Sequence, residues 1–374
     1  MNVLCKFRVH GEVPRFSIPR KAYSNQAKLD DSMVKTAGEK PCAEGSGRKL
    51  SVGILGGGMT PIFTAVLLKQ SKILRNINIV DVSNSLSGAV FDAGHIDTNP
   101  KIKYYRKSSM KAALSNVDII ALMDNTDGRI LSTEPKLQLM MSSTYIKEMG
   151  NEISKINPSA LLAVFARPVT ATVPLISEIF QTNKCWDPNK ILGSVALDTM
   201  RIESMAANLF YLNSSFLSIP VVGGADPSTI VPLLTKAKPL THISQEQEKV
   251  LVNQWRACDR DLENCTDDFK GPAMSSGAAA AKFISTIARA LIGEPNVRSC
   301  AYVRSDIIPL CRFFANEVEL GRTGVKYNCG LPKVSPIAEN LVQRAIPVIM
   351  ELSDMACASP KCPKDLKICE KMWN

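Results

Sequence analysis

The sequence predicts an α/β protein: a doubly wound parallel sheet with a second, α+β unit after it. Three observations carry this. Short, mainly apolar runs recur through the first half of the chain, long helical stretches separate them, and three glycines follow the first run. Apolar runs without polar alternation mark strands buried on both faces, as in parallel sheets covered by helices. At 374 residues the chain is long enough for two domains with sizeable cores.

Residues 1–48 do not read as a fold. Lys6, Arg8, Arg15, Arg20 and Lys21 face a single acid, Glu12, with Phe, Val and Ile between them. That is the composition of a mitochondrial presequence, with a processing site expected after Tyr23, and it places the mature protein in the mitochondrial matrix. Residues 25–48 then read as a flexible connector. The competing reading is a basic arm without any address.

At Lys49 the character changes. Leu50 to Leu55 is a buried strand, Gly56-Gly57-Gly58 a turn, and a helix follows through Lys69. Ile77 to Asp81, Val117 to Leu122 and Ala160 to Phe165 are further apolar strands. The expected division is a nucleotide-binding domain over 49–193, a substrate and dimerisation domain over 194–355, and a Cys- and Lys-rich tail over 356–374.

Composition excludes several classes. Apolar residues make up 45% and charged residues 21%, as in globular proteins. The longest apolar stretches, such as Ala278 to Ile287, are too short to span a bilayer, so no membrane role is expected. The net charge of +10 comes without an aromatic-interleaved basic stripe or zinc-finger spacing, so nucleic acid is not an expected partner. Eleven scattered cysteines, an odd number, argue against a disulfide framework and for a reducing compartment. Cys357, Cys362 and Cys369 lack the spacing and the histidine of a zinc site, so no metal is expected.

The glycine turn carries the first chemistry. Gly56-Gly57-Gly58-Met59-Thr60-Pro61 is G-x-G-x-x-P between a strand and a helix, where a Rossmann domain carries G-x-G-x-x-G. Gly56 permits the tight turn, and Gly58 lets the backbone approach a pyrophosphate lying on the helix N-terminus. Asp81, ending the next strand, is placed to accept hydrogen bonds from the adenosine ribose, which selects NAD over NADP. Pro61 replaces the glycine that allows close helix–strand packing, so weak or lost NAD binding stands as the alternative.

Ile54-Leu55-Gly56, Asp81, His95-Ile96, Ala166-Arg167-Pro168-Val169, Asp187 to Gly193, Leu197-Asp198-Thr199-Met200-Arg201 and Val221-Val222-Gly223-Gly224 follow one another in a particular order. In that order and spacing the chain resembles the mitochondrial-type, NAD-dependent malate dehydrogenases over residues 49–354. The resemblance implies a dimer, and hydride transfer between nicotinamide and C2 of a small dicarboxylate. Such chemistry needs a histidine to move the hydroxyl proton, an aspartate to hold it, and arginines to grip carboxylates.

Carried over residue by residue, Asp198 matches the histidine's aspartate partner and Arg201 a substrate-binding arginine. Arg129 falls within one residue of the first arginine of the family's mobile loop. The second falls at Pro135, with Lys136 beside it. Arg167 stands where the family has asparagine. The catalytic histidine's position is Ala225, and alanine cannot transfer a proton. His10, His95 and His242 are the remaining histidines, and none is a natural replacement. Asp198, without its imidazole, is expected to pair with a nearby base such as Arg167, and acids such as Asp124 in the loop oppose an anionic substrate.

The leading expectation is therefore a catalytically impaired homologue with a role in binding or assembly, dimerising with itself or with an active relative. The alternative is an active malate dehydrogenase that moves the proton through Asp226, Lys136 or water. A scaffold without nucleotide is the third reading.

Overall fold

The computed structural model describes residues 48–125, 134–239, 242–264 and 272–357. The presequence reading, Arg129 and the cysteines of the tail beyond Cys357 lie outside them.

The first half alternates as expected: β1 (Leu50–Gly56), α1 (Met59–Leu68), β2 (Leu74–Asp81), α2 (Ser87–Gly94), β3 (Lys101–Arg106), α3 (Met110–Leu114), β4 (Ile119–Leu122), α4 (Pro135–Ile156), β5 (Leu161–Val164), α5 (Val169–Thr182) and β6 (Ile191–Ser194). These six strands lie parallel in the order β3-β2-β1-β4-β5-β6. The order reverses between β1 and β4, and a ligand crevice opens at such a reversal beyond the carboxyl ends of the strands. The glycine turn lies at that point. The expected doubly wound Rossmann sheet with a following α+β portion is what forms.

Both faces of the sheet are covered, and the sequence alternation within each strand shows how. Ile119 and Ala121 of β4 enter the core beneath α1, while Ile120 and Leu122 enter the core beneath α4 and α5. Every second side chain points to the opposite face, so a strand with two apolar faces has no polar position left.

The second half comprises α6 (Ala196–Leu209), β7 (Val221–Gly223), β8 (Ile230–Pro232), α7 (Gln245–Glu263), α8 (Ala273–Ile292), β9 (Val297–Arg304), β10 (Phe313–Gly321), β11 (Gly324–Asn328) and α9 (Pro336–Cys357). It does not stand apart as a separate sheet. β6 pairs antiparallel with β9 at Gly193–Tyr302 and Ser194–Ala301, so one eleven-stranded sheet runs on through β9, β10, β7 and β8, with β11 pairing β10. α1 and α8 are also pressed together at Gly277, where a Cβ would come within 2.6 Å of the Phe63 Cβ. No helix among the described residues is long and apolar enough to cross a membrane.

Candidate active site

The site starts at the glycine turn. Gly58 caps α1 at φ 70°, ψ −164°, a conformation that side chains disfavour. A Cβ on Gly57 would lie 2.7 Å from the Asn125 carbonyl oxygen, and one on Gly56 would lie 2.9 Å from the Met123 Cβ. No side chain caps α1 and its first turn holds no acid, so its positive end is free to meet a phosphate. Pro61 is the third residue of this helix, where its missing N–H would have had no intrahelical partner in any case. The proline therefore leaves the helix intact and removes one donor from the cradle. These residues fit a dinucleotide pyrophosphate.

Asp81 is where the sequence predicts it, at the end of β2, but it is fully buried. Its carboxylate accepts from the Ser83 backbone N–H at 2.9 Å, the Ser83 hydroxyl at 2.8 Å, the Leu86 N–H at 2.8 Å and the Tyr104 hydroxyl at 3.3 Å. Burial pushes its pKa up, but these hydrogen bonds outweigh it and hold the carboxyl below the ordinary aspartate value. Four donors saturate a carboxylate. A further hydroxyl could reach this carboxylate only by displacing one of them, and the 3.3 Å contact from Tyr104 is the longest.

The other end of the crevice is assembled by a turn and two helices. Between β7 and β8 the chain reverses so tightly that a Cβ on Gly224 would sit 2.0 Å from the Thr229 hydroxyl oxygen, and Gly223 adopts φ +104°. The reversal lays Ala225 and Asp226 against the start of α5. The Ala225 N–H donates to the Thr170 hydroxyl at 2.8 Å, and the Asp226 carboxylate accepts the Val169 and Thr170 N–H groups, each at 3.1 Å. Asp226 is thus the cap of α5, held in place through the tertiary fold. Burial pushes its pKa up, against those hydrogen bonds. It is committed to the helix and not poised to exchange a proton.

Ala225 lines a cavity of about 70 Å³ together with Thr60, Asp124, Arg167, Asp198 and Ser276. Here the sequence-predicted Asp198, Arg167 and Ala225 meet. The expected pairing of Asp198 with Arg167 does not form. Arg167 turns to Asp124 instead: its backbone N–H donates to Oδ1 at 2.9 Å and its Nε to Oδ2 at 3.4 Å. Asp124 lies two residues beyond β4, close enough to compete for a guanidinium that Asp198 reaches only at longer range. Burial works against the Arg167 charge, but Asp124, Asp259 and Asp226 outweigh it and raise its pKa.

Asp198 and Arg201 lie one turn apart on α6, and the Trp255 indole N–H on α7 anchors that helix through the Asp198 carbonyl at 3.1 Å. Arg201 pairs with Asp259 of α7 at 2.8 Å, and both side chains are close to nine-tenths buried. Sequence reasoning missed Asp124 and Asp259 as partners, because only the tertiary fold brings either of them to an arginine. Lys136, offered as a stand-in carboxylate grip, pairs with Glu351 of α9 at 2.6 Å, and Pro135 is the first residue of α4. His95 stacks edge-on against Phe91 and His242 is exposed.

Burial raises the Asp198 pKa to about 7; Arg201 opposes this, while Asp259 and Asp226 add to it. An acid neutral in the folded state and ionised in the unfolded chain makes stability fall as pH rises from about 4 to about 7, by about 1.4 kcal/mol per unit, and level off above. Asp198→Asn should therefore match the wild type near pH 4 and melt at a higher temperature at pH 8. Thermal melts across that range check this, and a pH-independent difference would contradict it.

Residues 50–193 match the NAD binding domain of the lactate/malate dehydrogenases, and residues 195–354 match their alpha/beta C-terminal domain. The chain belongs to the lactate/malate dehydrogenase family. Among curated members, mitochondrial malate dehydrogenase of Caenorhabditis elegans is 31% identical over 297 residues, covering 79% of this chain and 86% of the relative. That of Sus scrofa is 26% identical over 284 residues, covering 76% and 83%. Of solved structures, a lactate dehydrogenase from Cryptosporidium parvum complexed with lactic acid and nicotinamide adenine dinucleotide superposes with a TM-score of 0.70 at 18% identity, covering 84% of this chain and 99% of that one. Membership makes this an NAD-linked oxidoreductase fold, with NAD as the cofactor of its N-terminal half. Bound there, NAD supplies or accepts a hydride. Gly56, Gly57, Gly58 and the N-terminus of α1 would hold its pyrophosphate.

Proposed function

We propose that this member of the family is a malate dehydrogenase homologue with crippled proton transfer, serving through binding or assembly more than through turnover. The observation that carries this is Ala225, whose methyl group faces the cavity beside Asp198 where a proton carrier is required. Arg167 and Asp124, an ion pair lining the same cavity, support it, because they put charge where the family resemblance implies a neutral asparagine. Assembly, with itself or with an active relative, is supported by the apolar side chains of Leu209, Tyr211 and Phe216, exposed at the end of α6.

One observation favours a second reading, an active enzyme interconverting malate and oxaloacetate. Asp198 lines the same cavity, and its pKa of about 7 suits a group that gives and takes a proton near neutrality. The names of the curated relatives support it too. Oxaloacetate-dependent NADH oxidation followed against pH, in wild type and Asp198→Asn, separates the two. Slow, pH-flat turnover indifferent to Asp198→Asn supports impairment, whereas robust turnover with an inflection near pH 7 that the variant abolishes supports proton transfer by Asp198.

NAD should bind more tightly than NADP, since Asp81 would repel a 2′-phosphate. Calorimetry with both cofactors checks this, and equal or tighter NADP binding would remove Asp81 from the ribose. We also place the mature protein in the mitochondrial matrix. A fluorescent reporter carrying residues 1–48 should enter mitochondria. A reporter that stays diffuse would leave those residues as a basic arm.

A further inference from the structure

The carboxylate paired with Arg201 comes from the chain itself. Arg201 is the residue expected to clamp a carboxylate of the ligand, and its side chain is only 10% exposed. One of its terminal nitrogens already meets Asp259 at 2.8 Å, yet Nη2 is buried with no hydrogen-bond partner among the described residues. The ion pair is also poorly aligned, since the facing Asp259 oxygen makes no hydrogen bond despite the short distance. A guanidinium satisfied by a carboxylate normally does so through two parallel N–H bonds. Arg201 is thus neutralised by an internal carboxylate and at the same time left with an unused, buried donor.

We infer that Asp259 is a specificity-determining residue: it occupies the carboxylate position on Arg201, so the site accepts only those anions that can displace it. This rests on the reading of the cleft as a 2-hydroxy- or 2-oxo-acid site. The consequence follows from charge. With Asp259 in place, Arg201 already faces a carboxylate at 2.8 Å, so an incoming carboxylate must either displace that group or bear its repulsion in a buried site, and either costs affinity. If Asp259 is removed, Arg201 can offer both terminal nitrogens to the ligand in a bidentate grip.

The test uses malonate, an unreactive dicarboxylate, titrated calorimetrically into the full chain with NADH present and absent. Asp259→Asn should lower the malonate Kd by about tenfold or more. Asp259→Glu, which keeps the competing charge, should stay within a few-fold of wild type. Asp259→Ser serves the same purpose if the asparagine variant does not fold. Unchanged malonate affinity in the neutral variants, an equal gain in Asp259→Glu, or no malonate binding in any form would overturn the inference. NADH affinity is a separate arm: its absence would remove the cofactor reading, while the malonate comparison without cofactor would still decide the role of Asp259.

Discussion

Purified protein should reduce oxaloacetate at least about 10²-fold more slowly than an intact member of the family, the usual cost of losing a positioned acid–base group. Ala225→His alone should recover little. The new imidazole would find Asp198 beside it, but it would share a 70 Å³ cavity with the Arg167 guanidinium, and a neighbouring cation disfavours the imidazolium that must form. Arg167→Asn alone would leave Asp124 without the cation it now faces. Reversion therefore has to be combined: Ala225→His, Arg167→Asn and Asp124→Ala for the reacting end, with Pro135→Arg for the carboxylate grip. Their joint effect should exceed the product of the single gains, because groups that act as a unit are not additive. Steady-state kinetics on the wild type, the singles and the combination would decide. Wild-type turnover at ordinary dehydrogenase rates would end the impaired reading and direct attention to Asp198.

The second large effect concerns stability. Arg201→Met should cost about 3–5 kcal/mol, the range expected when one member of a buried ion pair is removed. Asp259 is only 13% exposed and would lose its cation, and Asp198, already raised by burial, would lose the charge that most opposes that shift. Arg201→Met combined with Asp259→Leu should regain most of the loss, since taking out both charges also removes the cost of burying either. Urea denaturation of the three variants measures it. A small loss in Arg201→Met would mean that solvent reaches the pair.

The sheet was legible in the sequence where burial is two-sided. β1, β2, β4 and β5 read directly from mainly apolar runs, although tertiary pairing begins β2 at Leu74 rather than Ile77 and trims β4 to Ile119–Leu122. β3, with lysines at 101 and 103 and an arginine at 106, lies at the sheet edge and is half exposed, so it carries no such signal. β9 and β10, eight and nine residues long, carried no such signal either, because polar residues such as Arg298, Asn316 and Glu317 break their apolar pattern. At the site, Asp198 and Ala225 line one cavity, whereas Arg201, one turn further along α6, turns to Asp259. The ion pairs were not legible, because Asp124 and Arg167 are 43 residues apart and Arg201 and Asp259 are 58 apart. A proximity of that kind is a product of the fold and leaves no periodicity behind.

The pressing of α1 against α8 at Gly277, together with the β6–β9 junction, bears on how the crevice can work. A hinge needs a narrow waist that few contacts cross. Here the two halves share one hydrogen-bonded sheet and a helix pair packed almost backbone to backbone, so neither half can rotate about the other without tearing both. Opening and closing must then be local, by segments that border the crevice swinging over a stationary floor. The cradle at α1 and the wall from Ala273 to Ala280 on α8 would hold a fixed separation whether the crevice is empty or filled.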